Sequence, residues 1–335
     1  MLRKSKTVVW TLLAPSLLLI AITTTYPLVA ALFFSFHDYS LRGGDRPEWA
    51  LRFGETTEEV QEPFIVFDPS LLTFENYTDA FDDRRFINSL NVTFWFTVLS
   101  VLLSVVIGLA IAILVQRQGR LQTLTKILLI FPFAVSPALK GYSWRFMLNE
   151  NYGIYDLLID RAIVMPINGL YSIINLLPLI EIPLISTEIV WLGDQFWALF
   201  MLAMSEVWGW APLIALMFVG ALGSIDETIF EAARIDGANP LQIFFRVTLP
   251  LLRPVILIVT MLKTIFSLKM FDQVVTMTGG GPVRATQTIN FYIHNVGFVR
   301  SLDIGYASAM AYILVIVLTI CAAVYVVLVL NRQPA

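Results

Sequence analysis

Six apolar stretches, each long enough to cross a lipid bilayer, constrain the fold of this chain more than any other feature. A helix needs about 20 mostly apolar residues to cross a hydrocarbon core of roughly 30 Å. A segment in lipid must satisfy its own backbone hydrogen bonds, so such stretches become helices. We therefore predict an all-α, polytopic membrane protein with six transmembrane helices. The predicted spans are Val8–Phe36, Asn88–Val115, Leu121–Met147, Phe196–Leu222, Val255–Met277 and Ile304–Leu330.

The composition favours a membrane protein over a soluble one. Of the 335 residues, 57% are hydrophobic and 14% are charged, and the mean hydropathy of +0.75 exceeds what a soluble core of this size requires. The first stretch follows Arg3, Lys4 and Lys6, which also permits a cleaved secretory signal. It is longer than a signal core and contains Pro15 and Pro27, so we favour a transmembrane helix.

Charge placement predicts the orientation in the membrane. Basic residues near the amino end and in the second connection, with no acid among them, are typical of cytoplasmic segments. Two other loops are acidic and are therefore placed outside: 37–87, with twelve acids and five arginines, and 148–195, with six acids and one arginine. The N-terminus and the 223–254 loop are then cytoplasmic. The basic residues used are Arg3, Lys4, Lys6, Arg117, Arg120 and Lys126.

The stretch Ile163–Val190 is an alternative seventh span, which would invert everything after it. It contains Pro166, Pro178 and Pro183 together with Glu181 and Glu188. Prolines and carboxylates are disfavoured inside a continuous transmembrane helix. We interpret it as an extracytoplasmic insertion of short helices. The first outer loop is predicted to be a small folded cap, because it carries apolar anchors at Phe64, Ile65, Val66, Phe67, Leu71, Leu72 and Phe74.

A polar, helix-patterned segment over Ser224–Pro254 separates two of the apolar stretches. Ser224 and Glu227 have the spacing of a capping box, and Gly237 is placed to stop the helix in the left-handed conformation. Asn239 before Pro240 predicts the cap of a second short helix, ended by Thr248-Leu-Pro250. Two short helices joined by a glycine are too small to be stable alone, which indicates a docking segment.

Particular residues of this segment resemble a known family. Glu231-Ala-Ala, then Asp236-Gly-Ala238 and Leu249-Pro250, resemble the EAA loop of ATP-binding-cassette importer permeases. The residues that resemble the carbohydrate branch, which includes the maltose and glycerol-phosphate systems, are Phe271-Asp272, Thr278-Gly-Gly-Gly-Pro282, Ala285-Thr286 and Gly305-Tyr-Ala-Ser308.

The resemblance implies a type I ABC importer permease fold with cytoplasmic coupling helices that dock on a separate ATPase. The ATPase-coupling residues carried over are Glu231, Ala232, Ala233, Asp236, Gly237, Leu249 and Pro250. The chain contains no Gly-rich run ending in Gly-Lys-Ser or Gly-Lys-Thr, so ATP and magnesium are assigned to the partner ATPase and no cofactor to this chain. No catalytic or metal site is predicted, and the chain is not expected to be an enzyme.

The resemblance also implies positions that contact the cargo, although the amides typical of the family are replaced here. They are Glu206, Gly209, Trp210, Leu213, Lys263, Ser267 and Met270. Trp208 and Trp210 offer ring faces for a sugar, but tryptophans in spans more often just pack.

Charged side chains within the predicted spans have two open interpretations. Lys263 is expected either to pair with Glu206 or to meet an anionic group on the cargo. Lys269 and Asp272, three residues apart, are expected to neutralise each other on one helical face.

These inferences give an N-terminal transmembrane helix over 1–36, an acidic outer loop over 37–87 and a five-helix core over 88–335. The core contains the 148–195 insertion and the 223–254 coupling loop. The predicted function is the transmembrane permease subunit of an ATP-driven importer for a sugar or sugar derivative, in a bacterial inner membrane. Its expected partners are a second homologous permease, an ATPase dimer, a solute-binding protein and membrane lipid, but no nucleic acid. A secondary transporter of a small polar solute is the alternative.

Overall fold

The computed structural model describes residues 12–37, 39–40, 72–115, 122–150, 152–159 and 190–330, and the regular structure there is helical apart from one isolated bridge between Ser40 and Asp303. The predicted all-α class is therefore confirmed. The anchors predicted at 64–71 and nearly all of the 163–190 insertion lie outside the described residues. The helices are α1 (Leu12–Ser35), α2 (Glu75–Asp82), α3 (Arg84–Val115), α4 (Gln122–Ala134), α5 (Pro137–Met147), α6 (Ile154–Ile159), α7 (Gln195–Gly223), α8 (Glu227–Ile235), α9 (Pro240–Leu268), α10 (Ile289–His294) and α11 (Ile304–Leu330).

Five of the described helices, α1, α3, α7, α9 and α11, are long and apolar enough to cross a membrane. A sixth span is present only if α4 and α5 are counted together, because the two helices meet at a bend of 93°. The predicted span Leu121–Met147 is therefore found as a bent pair of helices. Ser136 precedes Pro137 and adopts an extended conformation, with ψ 144°, and its side chain caps α5 by accepting from the amide of Leu139. Proline disfavours the helical backbone conformation in the residue that precedes it, which explains the break between α4 and α5.

The fifth span also differs from the prediction. Helix α9 is continuous from Pro240 to Leu268, so the expected helix stop at Thr248-Leu-Pro250 is wrong. The span predicted at Val255–Met277 is present, but it begins and ends earlier in the chain than predicted. A π-helical turn over Phe244–Thr248 precedes Pro250, which then occupies the first turn of the α-helical part. The Leu249 amide donates to the Phe244 carbonyl, five residues earlier, and a local π adjustment of this kind compensates for the amide that Pro250 lacks inside the helix.

Residues 1–87 and 292–317 form one compact unit. Within it, the Asn76 side chain on α2 donates to the carbonyls of Ser35 at 3.2 Å and His37 at 2.9 Å, which fixes the end of α1. The chain passes so close to Gly305 that a Cβ there would lie 2.2 Å from the His37 carbonyl oxygen, so only glycine fits. The Gly305-Tyr-Ala-Ser stretch therefore begins α11 at a close backbone approach.

Residues 88–291 and 318–335 form the second unit. Helix α7 is its most deeply buried span. Helices α3 and α7 approach each other closely at Gly108 of α3. A Cβ at this position would lie 2.6 Å from a methyl group of Ile214 and 3.0 Å from the Ala211 carbonyl oxygen, both on α7. This close packing makes α7 the scaffold on which the polar side chains of the unit are placed.

Candidate functional site: a coupling segment and a buried charge cluster

The polar segment after α7 begins with a different cap from the one predicted. Asp226 is the N-cap of α8, and its carboxylate accepts from the Thr228 amide at 3.0 Å and the Thr228 hydroxyl at 2.8 Å. These two hydrogen bonds lower the pKa of Asp226. Ser224 instead ends α7, where its hydroxyl donates to the Ala221 carbonyl at 2.7 Å. The predicted capping box of Ser224 with Glu227 is therefore wrong, because Ser224 lies two residues before the cap.

The glycine that joins the two short helices has the predicted conformation. Gly237 has φ +78°, a region that residues with a Cβ enter at a cost of roughly 1–2 kcal/mol. Its amide donates to the Arg234 carbonyl at 3.1 Å, and the Ala238 amide donates to the Ala233 carbonyl at 3.0 Å. This is the Schellman arrangement that closes a helix.

The second helix starts as predicted at Asn239-Pro240. The Asn239 side chain accepts from the Gln242 amide at 2.8 Å, and the Gln242 side chain accepts from the Asn239 amide at 2.8 Å. The end of α8 and the start of α9, called the elbow from here on, are both fixed by these hydrogen bonds. Apolar side chains of the elbow remain on the surface: Ile235 is 86% exposed and Leu241 is 69% exposed. The other predicted coupling residues lie on the same segment, where Glu231, Ala232, Asp236 and Pro250 are exposed and Ala233 and Leu249 are half-buried.

A buried charge cluster lies among α5, α7, α9 and the segment after α9; it consists of Lys140, Glu206, Lys263 and Gln273. Lys263 Nζ donates to Glu206 Oε1 at 2.9 Å, and Lys140 Nζ donates to Glu206 Oε2 at 3.5 Å. With its amide nitrogen toward Glu206, Gln273 donates to Oε2 at 3.0 Å and accepts from Lys140 at 3.2 Å. All four side chains are at least nine-tenths buried. Of the two interpretations of Lys263, the structure shows the pairing with Glu206.

Trp210 completes the surroundings of this cluster. Lys263 Nζ lies 5.0 Å from the centroid of the Trp210 ring, within the range of a cation–π contact. The ring also packs against Phe266 and Phe133, with centroids 4.8 Å and 5.3 Å away. Trp210 thus packs within the helices, whereas the Trp208 ring remains 40% exposed.

The other predicted pathway residues belong to the same unit as the cluster. Gly209 lies next to the Lys140 side chain. A Cβ added to Gly209 would lie 3.1 Å from the Lys140 Cε and closer still to the Lys140 Nζ. Ser267 shares a hydrogen bond of 2.9 Å with Ser100, and the Met270 carbonyl accepts from Thr288 at 3.0 Å. Leu213 is half-buried one turn after Gly209. The structure brings these residues together within one unit, and their contact with cargo stays a prediction.

The predicted neutralisation of Lys269 by Asp272 is wrong. Helix α9 ends at Leu268, so the two residues share no helical face. Both belong to the described part of the chain, and they form no ion pair with each other within 4.0 Å.

Two polar features were missed from the sequence. Lys140 lay inside a predicted span, and an intramembrane lysine is itself a signal of function. The second feature is a row of hydroxyls on one face of α3 at helical spacing, all buried: Ser89, Thr93, Thr97, Ser100 and Ser104. In the part of the chain that the structure describes, Thr97 Oγ1 and Ser104 Oγ have no hydrogen-bond partner.

The glycine-rich stretch after α9 is held by threonines at its two ends. The Thr286 hydroxyl donates to the Gly281 carbonyl at 2.6 Å and shares a hydrogen bond of 2.7 Å with the Thr278 hydroxyl. Gly279 and Gly280 have φ +60° and +83°, and a Cβ on Gly280 would lie 2.6 Å from the Phe291 ring. The shape of this loop thus requires glycine at positions 279 and 280.

The chain belongs to the family described as binding-protein-dependent transport system inner membrane component, whose model matches residues 84–333. It is therefore a multi-pass inner-membrane permease of the ABC importer class and not an enzyme, since ATP hydrolysis in this class occurs on a separate subunit. Membership of the family supports the importer over the secondary transporter.

Several characterised proteins are similar to this chain. The sulfoquinovosyl glycerol transport system permease SmoG of Agrobacterium fabrum is 30% identical over 318 residues, covering 94% of this chain and 87% of that protein. The trehalose/maltose transport system permease MalF of Thermococcus litoralis is 29% identical, covering 81% and 83%. The sn-glycerol-3-phosphate permease UgpA of Rhizobium meliloti is 30% identical, covering 78% and 83%.

A solved structure has the same fold. A chain of a bacterial ABC transporter that imports the acidic polysaccharide alginate matches with a TM-score of 0.71 at 16% identity, covering 99% of this chain and 98% of that one. The predicted type I importer permease fold is thereby confirmed.

Proposed function

We propose that this chain is one of two homologous permease subunits that form the pathway for a sugar or sugar derivative. Its cargo would be delivered by an extracytoplasmic solute-binding protein, and ATP and magnesium would bind to a separate ATPase dimer. The relatives support this cargo class, because their names specify a sulfoquinovosyl glycerol, a disaccharide and a glycerol phosphate. A transporter similar in fold has been solved with a periplasmic protein that carries alginate.

The observation that carries the proposal is the exposed elbow of α8 and the start of α9. A solvent-facing segment seldom leaves several large apolar side chains such as Ile235 and Leu241 largely exposed unless a partner covers them. The Schellman turn and the capping box fix the elbow without help from the rest of the chain. A rigid surface loses little entropy when it binds, so this segment suits a docking role. We place it, with the N-terminus, on the cytoplasmic side.

Substitution of the exposed apolar pair tests this assignment. In the complete transporter, Ile235→Ser with Leu241→Ser is expected to weaken ATPase binding by at least about tenfold, a typical effect of losing interface anchors. The measurements are co-purification of the ATPase and binding-protein-stimulated ATP hydrolysis in vesicles. Val283→Ser is the matched control, because Val283 is 83% exposed but lies beyond the other end of α9. Unchanged ATPase retention in the double variant would contradict the assignment.

A further inference from the structure

Among the residues that the structure describes, the buried charge cluster carries one positive charge more than negative charges. Lys140 and Lys263 supply two ammonium groups, and Glu206 supplies one carboxylate. Gln273 is neutral and only shares hydrogen bonds with Glu206 and Lys140. An unbalanced charge is costly away from water, because burial removes its hydration. The cluster therefore favours the approach of one further negative charge.

The excess charge resides on Lys140. Lys263 is completely buried and makes the short contact with Glu206, at 2.9 Å, while its ammonium also faces the Trp210 ring. Lys140 is 3.5 Å from the carboxylate, longer than the 2.7–2.9 Å typical of charge-assisted hydrogen bonds. Gln273 already donates to the same carboxylate oxygen at 3.0 Å. Lys140 is thus the more weakly compensated cation.

Lys140 lies next to a position that is expected to contact the cargo. It lies one turn after the bend at Pro137, and its ammonium occupies the space above Gly209. Gly209 and its neighbours on α7 are the positions expected to contact sugar. Resting on the function proposed above, we propose that Lys140 binds an anionic group of the cargo, such as a phosphate, sulfonate or carboxylate. A lysine ammonium is a compact charge with three donors and is suited to such oxygens.

Transport by cells that carry the complete system tests the inference. The probes are sn-glycerol 3-phosphate, sulfoquinovosyl glycerol and glucuronic acid as anions, with maltose and trehalose as neutral sugars. Lys140→Met is expected to raise the KM for the transported anion by roughly 10-fold to 100-fold, the loss typical of a hydrogen bond to a charged group. Lys140→Arg, which keeps the charge, is expected to retain most of the uptake.

A stability measurement separates binding from a merely structural role. Lys140→Met leaves Glu206 paired with Lys263 and the cluster neutral, so the thermal midpoint of the purified complex is expected to be unchanged or higher. A lower midpoint would overturn the inference, because it would make Lys140 a structural partner of Glu206. Uptake of anions by Lys140→Met with an unchanged KM would also overturn it.

Transport by the wild-type protein shows whether a failure concerns the role of Lys140 or the proposed function itself. If it transports only the neutral sugars, the role of Lys140 in binding an anion is wrong and the sugar permease stands. If it transports none of the five probes and no other sugar recovered with its binding protein, the proposed function is wrong and the inference falls with it.

Discussion

Glu206 joins Lys263 through a contact of 2.9 Å that lies wholly inside the protein, with the lysine completely buried. The pair connects two spans, α7 and α9. Removing one partner of a buried ion pair leaves the other charge without compensation, which typically costs about 3–5 kcal/mol.

Glu206→Gln is therefore expected to lower the thermal midpoint of the purified protein strongly, because two lysines then face each other without a carboxylate. The measurement is thermal unfolding in detergent, followed by tryptophan fluorescence. Adding Lys263→Met and Lys140→Met to Glu206→Gln removes the uncompensated charges and is expected to recover part of the loss. A single variant as stable as the wild type would mean that the pair does not support the fold.

Gly209→Ala is expected to leave the protein less stable than Gly220→Ala does, because its Cβ would displace the Lys140 ammonium. Gly220→Ala is the matched control on the same helix, since nothing lies within 4 Å of a Cβ there. Alanine normally stabilises a helix relative to glycine by roughly 0.5–1 kcal/mol, so the control should be neutral or slightly stabilising. Equal midpoints for the two variants would contradict the close approach of Lys140.

Gly237→Val is expected to leave membrane insertion intact and to uncouple ATP hydrolysis from transport. No atom lies within 4 Å of a Cβ at this position, so the cost arises from φ +78° and not from crowding. Asparagine tolerates this conformation better than a β-branched residue, which makes Gly237→Asn the matched control. The measurement is uptake per ATP hydrolysed in vesicles, and an unchanged ratio for Gly237→Val would contradict the coupling role.

Acid is expected to loosen the contacts of Asp83 in the unit formed by residues 1–87 and 292–317. Partial burial raises the pKa of Asp83, but the hydrogen bonds from Tyr292, the Arg85 amide and Tyr306 outweigh it and hold the pKa below its usual value. The carboxylate then stabilises the fold above the unfolded pKa of about 3.9, and this contribution is lost as the pH falls through the lower folded value.

Hydrogen exchange of the α2 amides between about pH 6 and about pH 3, corrected for intrinsic rates, measures this loss. Asp83→Asn should remove the pH dependence, and Asp82→Asn, at an exposed neighbouring position, should preserve it. Tyr292→Phe removes one donor and should move the acid transition upward. Identical profiles for Asp83→Asn and the wild type would show that another group is responsible.

The sequence predicted what depends on local chemistry. Gly237 and Asn239-Pro240 have the conformations expected of a helix stop and a helix start, because hydrogen bonds within a few residues determine them. The apolar runs likewise located α1, α3, α7 and α11 to within several residues. The bend at Ser136-Pro137 was present as an X-Pro signal that the strong apolar pattern concealed.

Contacts between side chains that are distant in sequence could not be predicted, because they depend on how the helices pack. Lys140 and Glu206 are 66 residues apart in sequence, and only the path of α5 after its bend brings them together. The cap at Asp226 was missed for a more local reason, because Ser224 and Asp226 are both good capping residues and only the end of α7 decides between them.

The π turn over Phe244–Thr248 contains one residue more than an α-helical turn of the same rise. Each α-helical residue advances the direction of its side chain by about 100°, so the extra residue shifts the side-chain directions of Pro240–Ile243 relative to those of Leu249–Leu268. Gaining or losing one residue here would therefore turn the side chains of Pro240–Ile243 to a different direction around the helix axis, while the contacts of Leu249–Leu268 would remain in register.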